Sequence, residues 1–149
     1  MEPKDLDVIE LDLSARMELA QLYHRLGERF PNYFNWSSET ALQEFEKSKT
    51  FLVREAARIA AFITFREYDD RLEIMAIGTN PDFFMRGYGS RTLSFLQNFA
   101  MRRGLPILLE VHENNQSAVK FYKKNGFQVL GARKSYYSDG GTALVMKYL

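Results

Sequence analysis

Three short stretches carry residue types that could do chemistry. The first is Asn80-Pro81-Asp82-Phe83-Phe84-Met85-Arg86-Gly87-Tyr88-Gly89-Ser90. Pro81 has no N–H and holds Asn80 extended, so the apolar run from Leu72 to Thr79 must end there. Arg86-Gly87-Tyr88-Gly89 then opens a long helical pattern. The first turn of a helix offers unpaired N–H groups at the positive end of its dipole, and glycines let an anion come close. The stretch reads as a phosphate seat or as a tight turn with no ligand. The spacing excludes a P-loop, which needs G-x-x-x-x-G-K-[ST], and a dinucleotide fingerprint, whose third glycine would fall on Thr92.

The second stretch is Leu108-Leu109-Glu110-Val111-His112. Strand side chains alternate, so Glu110 and His112 share one face. Amid Leu108, Leu109 and Val111 a carboxylate would be desolvated, which raises its pKa toward the range of a general base. The other reading is a partly buried Glu paired with a cation. His112 reads as a solvated or core-edge histidine. The third stretch, Asn115 to Lys124, carries Tyr122, a phenol that can donate a proton or simply pack beside Phe121. Asn115 has the side chain of an N-cap.

These residues need elements to hold them. Val8 to Leu11 reads as a first strand, and Ser14 can cap a helix that runs to about Phe30, with Leu19, Leu22, Tyr23, Leu26 and Phe30 on one face. Pro31 breaks it, and Ser37 or Ser38 caps a second helix to about Lys47. The connector holds Tyr33, Phe34 and Trp36, which either fill the core or wall a pocket. Thr50 to Arg54, Ile59 to Tyr68 and Leu72 to Thr79 read as an antiparallel meander. A helix from Tyr88 to Arg103 ends at Gly104, and Ile107 to His112 follows, so strands four and five should be parallel. After the fourth helix, Val129 to Tyr137 and Thr142 to Leu149 read as a hairpin across Ser138-Asp139-Gly140-Gly141. The fold class is α/β, a mixed and mostly antiparallel sheet in the order βααβββαβαββ.

Composition sets bounds. A chain of 149 residues with 46% hydrophobic residues and 12 Phe reads as a single domain, 1–149, with an ample core. The net charge of +1 implies no general attraction to nucleic acid. There is no Cys, which excludes disulfides, thiolate metal sites and a Cys nucleophile; with two His, no metal is expected. No signal peptide or membrane-spanning run is found, so a cytoplasmic protein without membrane contact is expected, monomer or homodimer.

Leu109-Glu110-Val111, then Asn115-Gln116-Ser117-Ala118-Val119-Lys120-Phe121-Tyr122, then Gly126-Phe127, resembles the second core motif of the GNAT family of N-acetyltransferases: L-E-V, N-x-x-A-x-x-x-Y, G-F. The glycine stretch is similar to that family's acetyl-CoA loop, [QR]-x-x-G-x-[GA]. The two motifs stand in the family's order, and the resemblance covers roughly Phe51 to Leu149. It implies the GNAT fold, with strands four and five splayed apart. It also implies acetyl-CoA as co-substrate and direct transfer to an amine in a ternary complex. On it, Met85, Arg86, Gly87, Tyr88, Gly89 and Ser90 hold the pyrophosphate. Ile77, Gly78 and Thr79 lie beside the acetyl and pantetheine groups, and Asn115 contacts the cofactor. Glu110 is the base, as in RimI-like enzymes, and Tyr122 is the partner of the departing thiolate.

Arg133-Lys134-Ser135-Tyr136-Tyr137-Ser138-Asp139-Gly140-Gly141-Thr142-Ala143-Leu144-Val145-Met146 is similar to R-x-x-Y-Y-x-D-G-x-D-A-x-x-M, which ends many protein N-terminal acetyltransferases. With Trp36-Ser37, similar to a W-S in RimI-like enzymes, this implies a peptide N-terminus as acceptor, walled by Trp36, Tyr136 and Tyr137. The alternatives are a small-molecule amine (polyamine, amino sugar or amino acid) and a non-catalytic acyl-CoA-binding domain. Phe84 stands where the loop motif has Gln or Arg, Arg91 and Thr92 where small and aliphatic residues are usual, and Thr142 where the tail has Asp.

Overall fold

The computed structural model describes residues 6–9, as backbone, and residues 12–149. The elements are β1 (Leu6–Ile9), α1 (Leu13–Arg29), α2 (Ser38–Phe45), β2 (Lys49–Glu55), β3 (Arg58–Glu67), β4 (Leu72–Thr79), a 3₁₀ turn (Pro81–Phe83), α3 (Tyr88–Arg103), β5 (Ile107–His112), α4 (Gln116–Lys124), β6 (Gln128–Arg133) and β7 (Ala143–Tyr148). This is the βααβββαβαββ order read from the sequence. The first strand begins two residues before Val8, and Leu11, its predicted end, lies outside the described residues.

Local chemistry explains most of the boundaries. Asp12, not Ser14, caps α1: its carboxylate accepts the Ala15 N–H at 2.8 Å. Ser37 and Thr40 form a reciprocal capping box on α2. Gly104 adopts φ 66° at the end of α3, where any other residue would be strained. Asn115 caps α4 by accepting the Ala118 N–H.

The seven strands form one sheet, ordered β1-β2-β3-β4-β5-β7-β6. Every neighbouring pair is antiparallel except β4 and β5, which are parallel. Both faces of its centre are covered. Leu52, Ile59, Phe62 and Ala76 pack with Leu19, Leu22, Tyr23 and Leu26 of α1 and with Phe45 of α2. Phe51, Ile63, Phe65 and Ile74 pack with Leu93 and Leu96 of α3 and with Val119 and Tyr122 of α4. Burial on both faces is why β2 and β3 read as continuous apolar runs rather than an alternation.

Two irregularities shape the functional region. Thr64 pairs with Ala76 and Phe65 with Ile74, so Met75 is an extra residue, a β-bulge in β4. β4 and β5 pair at two positions, Leu72 with Ile107 and Glu73 with Leu108, and then part.

The closing hairpin differs from the expectation. Its ladder ends where Arg133 pairs with Ala143, well before Tyr137. Ser135 takes φ 53°, and the N–H groups of Tyr136 and Tyr137 both donate to the Gly141 carbonyl, at 3.0 and 3.2 Å. Residues 136–141 thus turn back on themselves, and Thr142 bonds Glu113 through its N–H and its carbonyl, instead of extending the strands.

One ion pair fastens α2 to the sheet. The buried Glu44 carboxylate accepts two bonds from Arg66, both 2.7 Å, and one from the Ser48 hydroxyl. Burial opposes its ionisation, but the Arg66 and Ser48 bonds outweigh burial and hold its pKa below the usual carboxylate range. A lowered native pKa stabilises the fold above the unfolded value of about 4.3, and that stability is lost as pH falls through the native pKa. Arg66→Met leaves the carboxylate buried and unpaired. It is expected to cost about 3 kcal/mol at pH 7. Urea unfolding across the acid range checks the sign: the deficit should shrink as Glu44 takes a proton.

Candidate active site

Where β4 and β5 part, a cavity of about 520 Å³ opens between Ile74–Ile77 and Leu109–His112. Trp36 and its connector close one side, Phe121 and Tyr122 of α4 the other, and Tyr137 borders the opening. A second cavity of about 500 Å³ runs from Ile77, Gly78 and Thr79 to the 84–90 loop. The two share Phe30, Phe34, Ile77 and Phe121, so they adjoin as one cleft.

The far end of the cleft is the start of α3. Gly87 is its N-cap, at φ 76°, with no side chain to occupy the helix N–H groups. The first helical bond is from the Arg91 N–H to the Gly87 carbonyl, at 3.2 Å, so the N–H groups of Tyr88, Gly89 and Ser90 precede the ladder. Gly89 has ordinary room for a Cβ, the nearest atom being Thr79 Oγ1 at 3.6 Å. Gly78 has none: a Cβ would lie 2.6 Å from Leu26 Cδ1 and 2.8 Å from the Phe62 ring. That glycine admits α1 against the sheet. Met85 is fully exposed at φ 68°. The Arg86 guanidinium is paired with Glu55, whose carboxylate also accepts the Tyr88 hydroxyl. These bonds hold the Glu55 carboxyl below its ordinary range and push the Tyr88 phenol up. The positive character of the seat therefore comes chiefly from its backbone. Phe84, in place of the motif's Gln or Arg, lies under the Arg29 guanidinium at 5.2 Å.

At the near end, Glu110 corrects the expectation of a desolvated carboxylate. It is exposed, its Oε2 is 3.1 Å from Arg133 Nε, and its Oε1 accepts a long bond from the Tyr136 hydroxyl at 3.5 Å. Among the described residues, Glu110 is nonetheless the sole carboxylate lining the cavity. Glu73 is paired with Arg71 at 2.9 Å and does not line it. Tyr122 is buried and faces the same cavity. Burial pushes its phenol well above the ordinary value, so it stays protonated at any working pH. Asn115 lines the cavity while it caps α4.

The aromatic walls divide. Trp36 lines the cavity and also packs edge-on against Tyr23 at 5.5 Å, so the core and pocket readings both hold. Tyr137 lines it too; burial, then the nearby Glu110, push its phenol up to about 12. Tyr136 is half exposed, does not line the cavity, and lies beside Arg133 and Glu110. Ile77 lines both cavities; Gly78, Thr79 and Met85 through Ser90 line the second.

Sequence reasoning missed two features. The Met75 bulge is hidden because Ile74, Met75, Ala76 and Ile77 are all apolar, so an inserted residue leaves no break in the pattern. His112 is buried and bonded at both nitrogens, to the Asn114 N–H at 3.1 Å and to Asp139 Oδ2 at 2.9 Å.

Residues 19–127 match the model of the acetyltransferase (GNAT) family. The chain is 29% identical over 132 residues to a [ribosomal protein bS18]-alanine N-acetyltransferase of Haemophilus ducreyi, covering 87% of this chain and 86% of that protein. Among solved structures, the ribosomal-protein-S18-alanine N-acetyltransferase of Escherichia coli has a TM-score of 0.80 at 24% identity, over 96% of this chain and 92% of that one. Arabidopsis thaliana Naa50, in complex with the bisubstrate analogue CoA-Ac-MVNAL, has a TM-score of 0.79 at 22% identity, over 97% and 99%. Both share this fold. The chain belongs to the GNAT acetyltransferase family and is an N-acetyltransferase.

Proposed function

We propose that the protein transfers acetyl from acetyl-CoA directly to the α-amine of a peptide or protein N-terminus. One observation carries this reading: a single cleft joins a backbone anion seat to a gap that holds a carboxylate and a protonated phenol. Peptide-directed relatives, including the bS18-alanine enzyme and the Naa50 complex, support the choice of acceptor.

In this reading the pyrophosphate rests on the N–H groups of Tyr88, Gly89 and Ser90. The pantetheine follows Ile77 to Thr79, past Asn115, and the thioester enters the gap between β4 and β5. The amine arrives from the Trp36 and Tyr137 side. An α-ammonium has a pKa of about 8, so at pH 7 it must first lose a proton, and Glu110 accepts it. The free nitrogen attacks the carbonyl carbon. A backbone N–H of β4 beside the Met75 bulge, where ladder pairing is interrupted, stabilises the oxyanion. The C–S bond then breaks as Tyr122 gives its proton to the sulfur; the nitrogen's second proton passes through water to restore the Tyr122 phenol, and Glu110 releases its proton to solvent. The products are an amide and the coenzyme A thiol.

Acetyl-CoA should raise the melting temperature, since a ligand that binds only the native state stabilises it by about 2.7 kcal/mol at a hundredfold excess over Kd. Gly87→Glu and Gly89→Glu place bulk and negative charge in the seat and are expected to abolish the shift. A full shift in both variants would remove the α3 start from the binding site. Thiol release with a panel of peptides and free amines, including spermidine and an amino sugar, tests the acceptor. Peptides should be the better substrates.

A further inference from the structure

The ring of His112 joins three segments. It sits at the end of β5, 6% exposed. Its Nδ1 accepts the Asn114 N–H at 3.1 Å, so in the neutral ring the proton lies on Nε2, which donates to Asp139 Oδ2 at 2.9 Å. The other Asp139 oxygen accepts the Gly141 N–H at 2.7 Å. Tyr137 stacks on the imidazole at 4.8 Å and 18°. Tyr33 meets it edge-on at 5.5 Å and donates its hydroxyl to the Asn114 carbonyl at 3.2 Å. The chain at Gly141 passes so close that a Cβ there would lie 2.2 Å from Nε2.

The connector that carries Tyr33 and Trp36 and the loop that carries Tyr137 belong to opposite ends of the sequence. His112 holds both against β5. Both of its nitrogens are engaged, so it has no free lone pair with which to take a proton from an amine. We propose that His112 is a positioning residue for the acceptor: its clasp with Asp139 and its stack on Tyr137 set the width of the acceptor side, and the chemistry proceeds without it. This rests on the reading of the β4–β5 gap as the acceptor site.

Two measurements test it. In the first, His112→Ala, His112→Gln and Gly141→Ala are assayed with Ala-first and Met-first pentapeptides. His112→Ala should raise the peptide KM roughly tenfold, in line with the steep cost of small misplacements, and leave kcat within about threefold. Glutamine can still donate to Asp139, so His112→Gln should recover part of the loss. Gly141→Ala pushes the loop off an intact histidine and should raise the peptide KM alone. The acetyl-CoA KM should stay at the wild-type value in all three. The second measurement needs no acceptor. Lys134 is exposed, but a protease needs the chain extended at the cut, so the rate of trypsin cleavage after Lys134, located by mass spectrometry, reports opening of the 134–142 loop; His112→Ala and Gly141→Ala should speed it. Faster cleavage with no peptide turnover by the wild type would keep the clasp and reject the acceptor reading. An unchanged peptide KM with unchanged cleavage would overturn the proposal, as would a collapse of kcat in His112→Ala that shifts its pH profile.

Discussion

Glu110→Gln is expected to slow acetyl transfer by roughly 10²–10⁴, the range for loss of a positioned base. The amide keeps the shape of the side chain and can still face Arg133 and Tyr136, so folding should be intact. It cannot accept a proton at neutral pH. The loss should be greatest near pH 7, where an α-amine of pKa about 8 is mostly protonated, and should shrink as pH rises and free amine accumulates. The exposure of Glu110 suits this role in a specific way: water reaches the carboxylate and can return the proton to solvent after each turnover. Among the described residues, His112 is bonded at both nitrogens and Glu73 is paired outside the cavity, which supports the proposal of Glu110 as the proton acceptor. A wild-type pH dependence in Glu110→Gln would assign deprotonation to bulk water.

Tyr122→Phe is expected to slow transfer by roughly 10²-fold, because the departing thiolate loses its proton donor. The phenol is buried, and desolvation keeps it protonated, so its contribution should not titrate below pH 10. The ring packs against Phe121 and Phe127 at 5.5 Å each, and phenylalanine preserves those contacts. Acetyl-CoA affinity and melting temperature should therefore change little. Poorer leaving groups should suffer more than better ones, so the defect should shrink with an activated aryl thioester in place of acetyl-CoA. An equal defect with both donors would place Tyr122 in packing rather than in proton transfer.

The sequence was most legible where single residues force the backbone. Gly87 and Gly104 both take left-handed angles, and between them α3 runs from Tyr88 to Arg103, as read from the glycines alone. Pro81 ended β4 for the same kind of reason. The site residues themselves carried motif spacing, so Glu110, Tyr122, Asn115 and the glycine loop could be placed on their elements before their neighbours were known. What was not legible depends on partners far along the chain. Arg133 reaches Glu110 from β6 and turns a carboxylate expected among leucines into an exposed, paired one. Glu55 reaches Arg86 from the end of β2 and pairs with its guanidinium, a contact that nothing near either residue signals. The 134–142 loop leaves its ladder because His112 and Asp139 draw it across the sheet end, and neither residue alone signals the other. The splay of β4 from β5 came from family resemblance, since nothing in the apolar run Ile74 to Ile77 marks it.

The measurement that bears most directly on the account places the acetyl group within the product. A peptide with both a free α-amine and an internal Lys is incubated with acetyl-CoA, and tandem mass spectrometry locates the added mass. Acetyl is expected on the α-amine, with Lys unmodified. Acetyl on Lys alone, or no peptide product while spermidine or an amino sugar is acetylated readily, would contradict it.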